Sequence, residues 1–188
     1  MKILAGQLLL ATLIASMCME SAFAEAETDA GLKVLIIRHG EKPKNGENLT
    51  CQGENRARQI PAVLEKKFGK MDYLYVPTVV GRGDKTLHSR MFQTATPTAI
   101  RNGLEINSQF SAADAGPVAQ SVLKKKGTVL LVWNHKAIAK LAQSLGVTTA
   151  AWQDADYDRI LVIRYPKGQA MLEVDAQGLS PALECVDR

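Results

Sequence analysis

The sequence predicts an α/β fold, a three-layer α/β/α sandwich, and three observations carry that prediction. Short runs rich in Val, Leu and Ile, the mark of buried strands, alternate along the chain with longer stretches of helical spacing. Two of these runs, Lys33–Ile37 and Val129–Trp133, are apolar almost throughout, as strands covered on both faces must be. Each passes directly into a polar segment that bears a histidine, Arg38-His39-Gly40-Glu41 in one case and Asn134-His135 in the other. The ends of such strands are where α/β folds keep their chemistry.

Taken in order, the chain opens on a segment with the features of a signal peptide. Lys2 provides a basic start, Ile3 to Met19 is largely apolar, and Ala22-Phe23-Ala24 has the small-x-small pattern of a cleavage site. The apolar run is short and interrupted by Gly6, Gln7 and Ser16, which favours cleavage over a transmembrane anchor. Met17 is a poor residue before a lipidated cysteine at Cys18. Residues 1–24 are therefore expected to be removed, with 25–188 a single exported domain in a periplasm and no transmembrane anchor after cleavage.

Residues 25–32 lead into a first strand near 33–38, and the turn-rich Lys42-Pro43-Lys44-Asn45-Gly46-Glu47-Asn48 should form a loop over a pocket. Thr50 is placed to cap a helix through about 67 whose apolar face holds Ala57, Ile60, Val63 and Leu64. Pro61 predicts a kink or break within it, and Gly69 its end. Tyr73–Val76 reads as a short strand stopped by Pro77, Gly81-Arg82-Gly83-Asp84-Lys85 as a mobile loop, and 89–101 as a helix bent at Pro97. A short strand near Glu105-Ile106 and a polar loop precede a helix from about 116 to 125. Strand 128–133 follows, then helix 136–145 with Ile138, Leu141 and Leu145 on one face. Ile160–Ile163 and Ala170–Val174, joined by the turn Pro166-Lys167-Gly168, are the last strands.

The formal charge is +4, and loss of the leader, which holds one Lys and one Glu, leaves it there. The basic residues are scattered apart from Lys124-Lys125-Lys126, which reads as a solvated helix end before Gly127. With few aromatics and no nucleic-acid motif, a nucleic-acid partner is not expected, whereas a modest positive field suits an anionic substrate. Cleavage would leave two cysteines, Cys51 and Cys185, as a disulfide candidate in an oxidising compartment, the alternative being two separate free thiols. His88 has no companion at metal-ligand spacing, so no metal site is expected and His88 reads as a rim or exposed residue. Two strand-end histidines with Arg90 in the polar segment between them suggest a pocket for a dianionic phosphoryl group.

The same residues carry a family resemblance. Ile37-Arg38-His39-Gly40-Glu41-Lys42-Pro43 resembles the opening motif of the histidine phosphatase superfamily, which has the phosphoglycerate-mutase-like fold. Leu49-Thr50-Cys51-Gln52-Gly53 matches the leucine-threonine and following glycine that open its first helix. Arg90-Met91-Phe92-Gln93-Thr94-Ala95 resembles the second motif and Val132-Trp133-Asn134-His135 the third, all in family order across the mature chain. The overall likeness is to the small exported bacterial members. The resemblance implies a phosphatase acting on a small phosphorylated substrate, with no cofactor, in which His39 is the nucleophile and is transiently phosphorylated. It makes Arg38, Arg90 and His135 the groups that bind and neutralise the phosphoryl oxygens. Gly40 would let the backbone pass close to the ligand. Glu41 itself reads as ordering the loop or pairing with an arginine, the alternative being a role in proton transfer. The family often takes a proton donor from the segment after the second motif, where Asp114 stands; Asp114 is equally placed to cap the following helix. A phosphoglycerate-type mutase, or a module that binds phosphate or a partner without turnover, are the rival readings.

Overall fold

The computed structural model describes residues 31–83 and 85–185, so the signal-peptide expectation for 1–24 lies outside the described residues. The chain runs β1 (Leu32–Arg38), α1 (Cys51–Phe68), β2 (Tyr73–Tyr75), β3 (Val80–Arg82), β4 (Lys85–Leu87), α2 (Ser89–Asn102), β5 (Ile106–Asn107), α3 (Ala115–Val122), β6 (Gly127–Trp133), α4 (His135–Ser144), β7 (Arg159–Arg164) and β8 (Met171–Ala176). Six strands form one sheet in the order β5-β2-β6-β1-β7-β8, and β3 pairs with β4 as a separate hairpin. The first four strands of that order are mutually parallel, while β7 and β8 are antiparallel to their neighbours.

The apolar run of β1 explains the layers. Successive side chains of a strand point to opposite faces. Val34 and Ile36 pack with Val118, Val122, Ile138 and Leu141 from α3 and α4. Leu35 and Ile37 pack with Ile60, Leu64, Met91 and Ala95 from α1 and α2. All four β1 residues are fully buried, each on the order of 1.5–3 kcal/mol of hydrophobic stabilisation. The result is the three-layer α/β/α sandwich that the alternation of runs predicts.

Two expectations are corrected. Helix α1 continues through Pro61 without a break, although the ring removes the N–H that the Ala57 carbonyl would have accepted from. The stretch read as a mobile loop at 81–85 is largely a short hairpin, with Val80 opposite Leu87 and Arg82 opposite Lys85. Among the described residues, no helix is long and apolar enough to cross a membrane.

Candidate active site

The site begins with the β1–β6 register. The two strands run parallel with Arg38 opposite Trp133, so His39 and Asn134 leave the sheet at the same level. The His39 N–H still donates to the Trp133 carbonyl at 3.3 Å. Asn134 then caps α4, its side-chain oxygen accepting from the Lys136 N–H at 3.1 Å, and this starts the helix at His135. Both histidines therefore stand at the carboxyl ends of adjacent central strands.

His39 is 2% exposed. Its Nδ1 lies 2.7 Å from the Gly40 carbonyl oxygen. A carbonyl can only accept, so Nδ1 carries the proton and Nε2 keeps its lone pair. Burial is the largest influence on the ring. The Gly40 carbonyl opposes it, but Arg38, Arg90 and His135 add to it, and the pKa falls to about 3. The imidazole is thus neutral at any ordinary pH, with a nucleophilic nitrogen and three potentially cationic groups around it.

Arg38 is buried, and most of its donors are already engaged. Nη1 donates to the Asp154 carbonyl at 2.6 Å and to those of Gln153 and Asp156 at 3.3 Å. Nη2 donates to the Tyr157 hydroxyl at 3.3 Å, and the guanidinium lies 4.0 Å over the Tyr157 ring. What Arg38 can offer an anion is Nε–H and a second Nη2 hydrogen, not its whole fork. Arg90 donates through Nη1 to the Gly46 carbonyl at 2.7 Å and pairs with Glu47 at 3.3 Å. The Nε2 of His135 lies 2.8 Å from Asp154 Oδ1 without the alignment of a hydrogen bond. Burial, with Arg38 next, lowers the His135 pKa, and Asp154 opposes the shift.

Five buried side-chain polar atoms find no hydrogen-bond partner among the described residues, and four of them belong to this site: Arg38 Nε, Arg90 Nε, and both ring nitrogens of His135. Unpartnered buried polar atoms are costly, and their concentration beside a neutral imidazole has the form of a site for an oxyanion.

The connecting residues show how the motifs hold one another. The Gly40 N–H donates to Thr94 Oγ1 at 2.9 Å, which itself donates to the Arg90 carbonyl at 2.8 Å. Gln93 accepts from the Leu49 N–H and donates to Asn48, each at 2.9 Å, fixing the loop before α1. Gly40 serves packing here: a Cβ on it would stand 2.7 Å from the Gly53 carbonyl oxygen, so the bare backbone of the motif lies directly on α1. Glu41 pairs with an arginine, as one of the sequence readings has it. It receives Arg56 Nε at 2.9 and 3.0 Å, and the same Arg56 reaches Asp158 and Gln177.

The remaining candidates take no part in these hydrogen bonds. Asp114 is exposed, and its carboxylate accepts from the Ser111 N–H at 2.9 Å without making a side-chain cap on α3. His88 is half-buried in left-handed backbone, its Nδ1 2.9 Å from the Thr78 carbonyl. Among the described residues no group of three or more His, Cys, Asp or Glu could hold a metal ion. Cys51 and Cys185 are joined as a disulfide with Cα atoms 4.6 Å apart. Sequence reasoning missed Asp154 and Tyr157. Their segment, Trp152 to Asp158, has neither helical nor strand periodicity, and a polar aromatic loop of that kind was the one signal available.

No family model matches the sequence, and no curated protein is similar to it in sequence. Solved structures do resemble it in shape. The protein histidine phosphatase SixA complexed with tungstate superposes with a TM-score of 0.60 at 14% identity, over 77% of this chain and 97% of that one. A mycobacterial glucosyl-3-phosphoglycerate phosphatase with inorganic phosphate gives 0.56 at 14% identity, over 79% and 99%. A putative α-ribazole-5′-P phosphatase from Escherichia coli gives 0.51 at 14% identity, over 78% and 96%. With β1 and β6 central and parallel and helices on both faces, the chain has the phosphoglycerate-mutase-like fold.

Proposed function

We propose that the protein is an exported phosphomonoester hydrolase working through a phosphohistidine on His39. The observation that supports it most is the set of unpartnered donors on Arg38, Arg90 and His135 around a neutral imidazole whose Nε2 is free. In the first step the Nε2 lone pair attacks phosphorus and the bond from phosphorus to the leaving oxygen breaks. The leaving oxygen takes a proton, for which Asp114 is the donor in this reading. In the second step water attacks phosphorus and the Nε2–phosphorus bond breaks, returning the electron pair to Nε2; the Asp114 carboxylate takes up the proton the water loses, and inorganic phosphate is released. Arg90 Nε, Arg38 Nε and His135 bind the oxygens that gain charge in both steps. The Nδ1–H bond to Gly40 spreads the positive charge that the ring acquires when Nε2 is phosphorylated.

The decisive experiment is His39→Ala on the mature protein. Turnover of p-nitrophenyl phosphate should fall by about 10³-fold or more, and the acid-labile phosphate trapped on the wild type should vanish. Undiminished turnover would overturn the mechanism, and phosphate binding without turnover in the wild type would make the protein a binding module. Asp114→Asn should slow alkyl phosphates by about 10²–10⁴-fold and p-nitrophenyl phosphate far less, because nitrophenolate leaves without a proton. Equal effects on both substrates would remove Asp114 from the mechanism.

A further inference from the structure

The carboxylate of Asp154 occupies a position that the phosphatase reading does not use. Its Oδ1 is 2.8 Å from His135 Nε2, yet its side chain is 90% exposed while that of His135 is 10% exposed. Its own backbone carbonyl is held at 2.6 Å by Arg38 Nη1, and the carbonyls of Gln153 and Asp156 share that donor. The loop is thus anchored by a pocket arginine through main-chain atoms. Among the described residues the carboxylate's one side-chain partner is His135. It can turn about its side-chain torsions while the loop stays in place.

Resting on the phosphatase reading, we propose that Asp154 is a charge gate and specificity determinant that favours phosphomonoesters with a cation on the leaving group, aminoalkyl phosphates being the simplest. In the free protein the carboxylate stands against the nitrogen that a phosphoryl oxygen would take. An arriving dianion brings like charge to within a few ångströms and drives the carboxylate outward. The floor of the pocket is the buried His39, so a leaving group in line with its attack points towards solvent, past the rim on which Asp154 sits. A carboxylate there attracts an ammonium two carbons from the bridging oxygen and repels a second anionic group. Lys136 also acts on His135 from the first turn of α4, and it is unchanged by a substitution at Asp154.

The test uses the mature, disulfide-bonded protein and Asp154→Asn, an exposed substitution of nearly equal size. The two substrates are phosphoethanolamine and propyl phosphate, which match in length and differ in charge. In the wild type kcat/KM should favour phosphoethanolamine by about five- to tenfold, a preference that added salt reduces. In Asp154→Asn the ratio should fall to about one, and inorganic phosphate, followed by calorimetry, should bind about three- to tenfold more tightly. A loop residue with only a structural role would lower both substrates together and leave their ratio intact. An unchanged ratio with turnover retained overturns the gate and spares the phosphatase. Absent turnover in both proteins overturns the phosphatase, and tighter phosphate binding in the variant then supports the charge gate at the anion site alone. Phosphate binding that is unchanged or weaker in the variant overturns the gate.

Discussion

His39 is set up by exclusion of solvent more than by any partner. Its Nδ1–H is committed to Gly40, its ring is buried, and neighbouring cations make a further charge unwelcome. This has a consequence for stability. An unfolded chain protonates the histidine through its ordinary value of 6.5, whereas the folded chain holds it neutral down to about 3. Between those values the unfolded state binds more protons, so stability rises with pH and is lost as pH falls below 6.5. At pH 5 the loss from this residue should be about 2 kcal/mol, and His39→Gln should abolish that part of the slope. Urea denaturation of both proteins at pH 7.5 and 5 measures it. His135, whose pKa is also lowered, adds in the same direction. Arg90 belongs to this scale too: Arg90→Ala removes one unpartnered donor and should weaken inhibition by vanadate about tenfold or more, read from Ki values.

Among the elements, α2 matters through Thr94. Its hydroxyl is the junction between the Gly40 N–H and the Arg90 carbonyl, and the residue is fully buried. Thr94→Val keeps the shape but leaves the Gly40 N–H without an acceptor, a cost of about 1–3 kcal/mol. Thermal unfolding should show the loss and Thr94→Ser should restore most of it. Several elements were legible from their residues alone. The runs that became β1 and β6 had to be central because they are apolar on both faces, and Thr50 caps α1 as its position implied, accepting from the Gly53 N–H at 3.2 Å. The β3–β4 hairpin was not legible, since Gly81 and Gly83 and the lack of alternation hide a strand. The seat of Arg38 was hidden for a different reason: it consists of backbone carbonyls, which every residue possesses.

At the scale of the molecule, the C-terminal tail closes the structure around α1. Asn55 donates to the carbonyls of Ala182 and Glu184 at 3.0 and 2.8 Å, Arg56 binds Gln177, and Cys185 is bonded to Cys51 at the first turn. The disulfide spans a sequence separation of 134, worth on the order of 4–5 kcal/mol in the chain-entropy model. Cys51→Ser with Cys185→Ser should lower stability by about that amount in denaturant titrations, less any compensation in the native state. Two free thiols in non-reduced mass spectrometry of protein isolated from its own cells would show that the bond does not form there.

The anchoring of Arg38 also bears on how the protein comes into being. The chain emerges from its N-terminus, and both histidines and both arginines of the site have been made by residue 135. The carbonyls that seat Arg38 are at Gln153, Asp154 and Asp156, and the antiparallel neighbour of β1 is β7 at Arg159–Arg164. A chain interrupted in between would hold every residue of the motifs, yet its first arginine would lack its seat and its central strand would have one open edge. Competence is therefore a property of the completed chain, acquired late in synthesis, and no fragment defined by the motifs alone should be able to bind phosphate as the whole protein does.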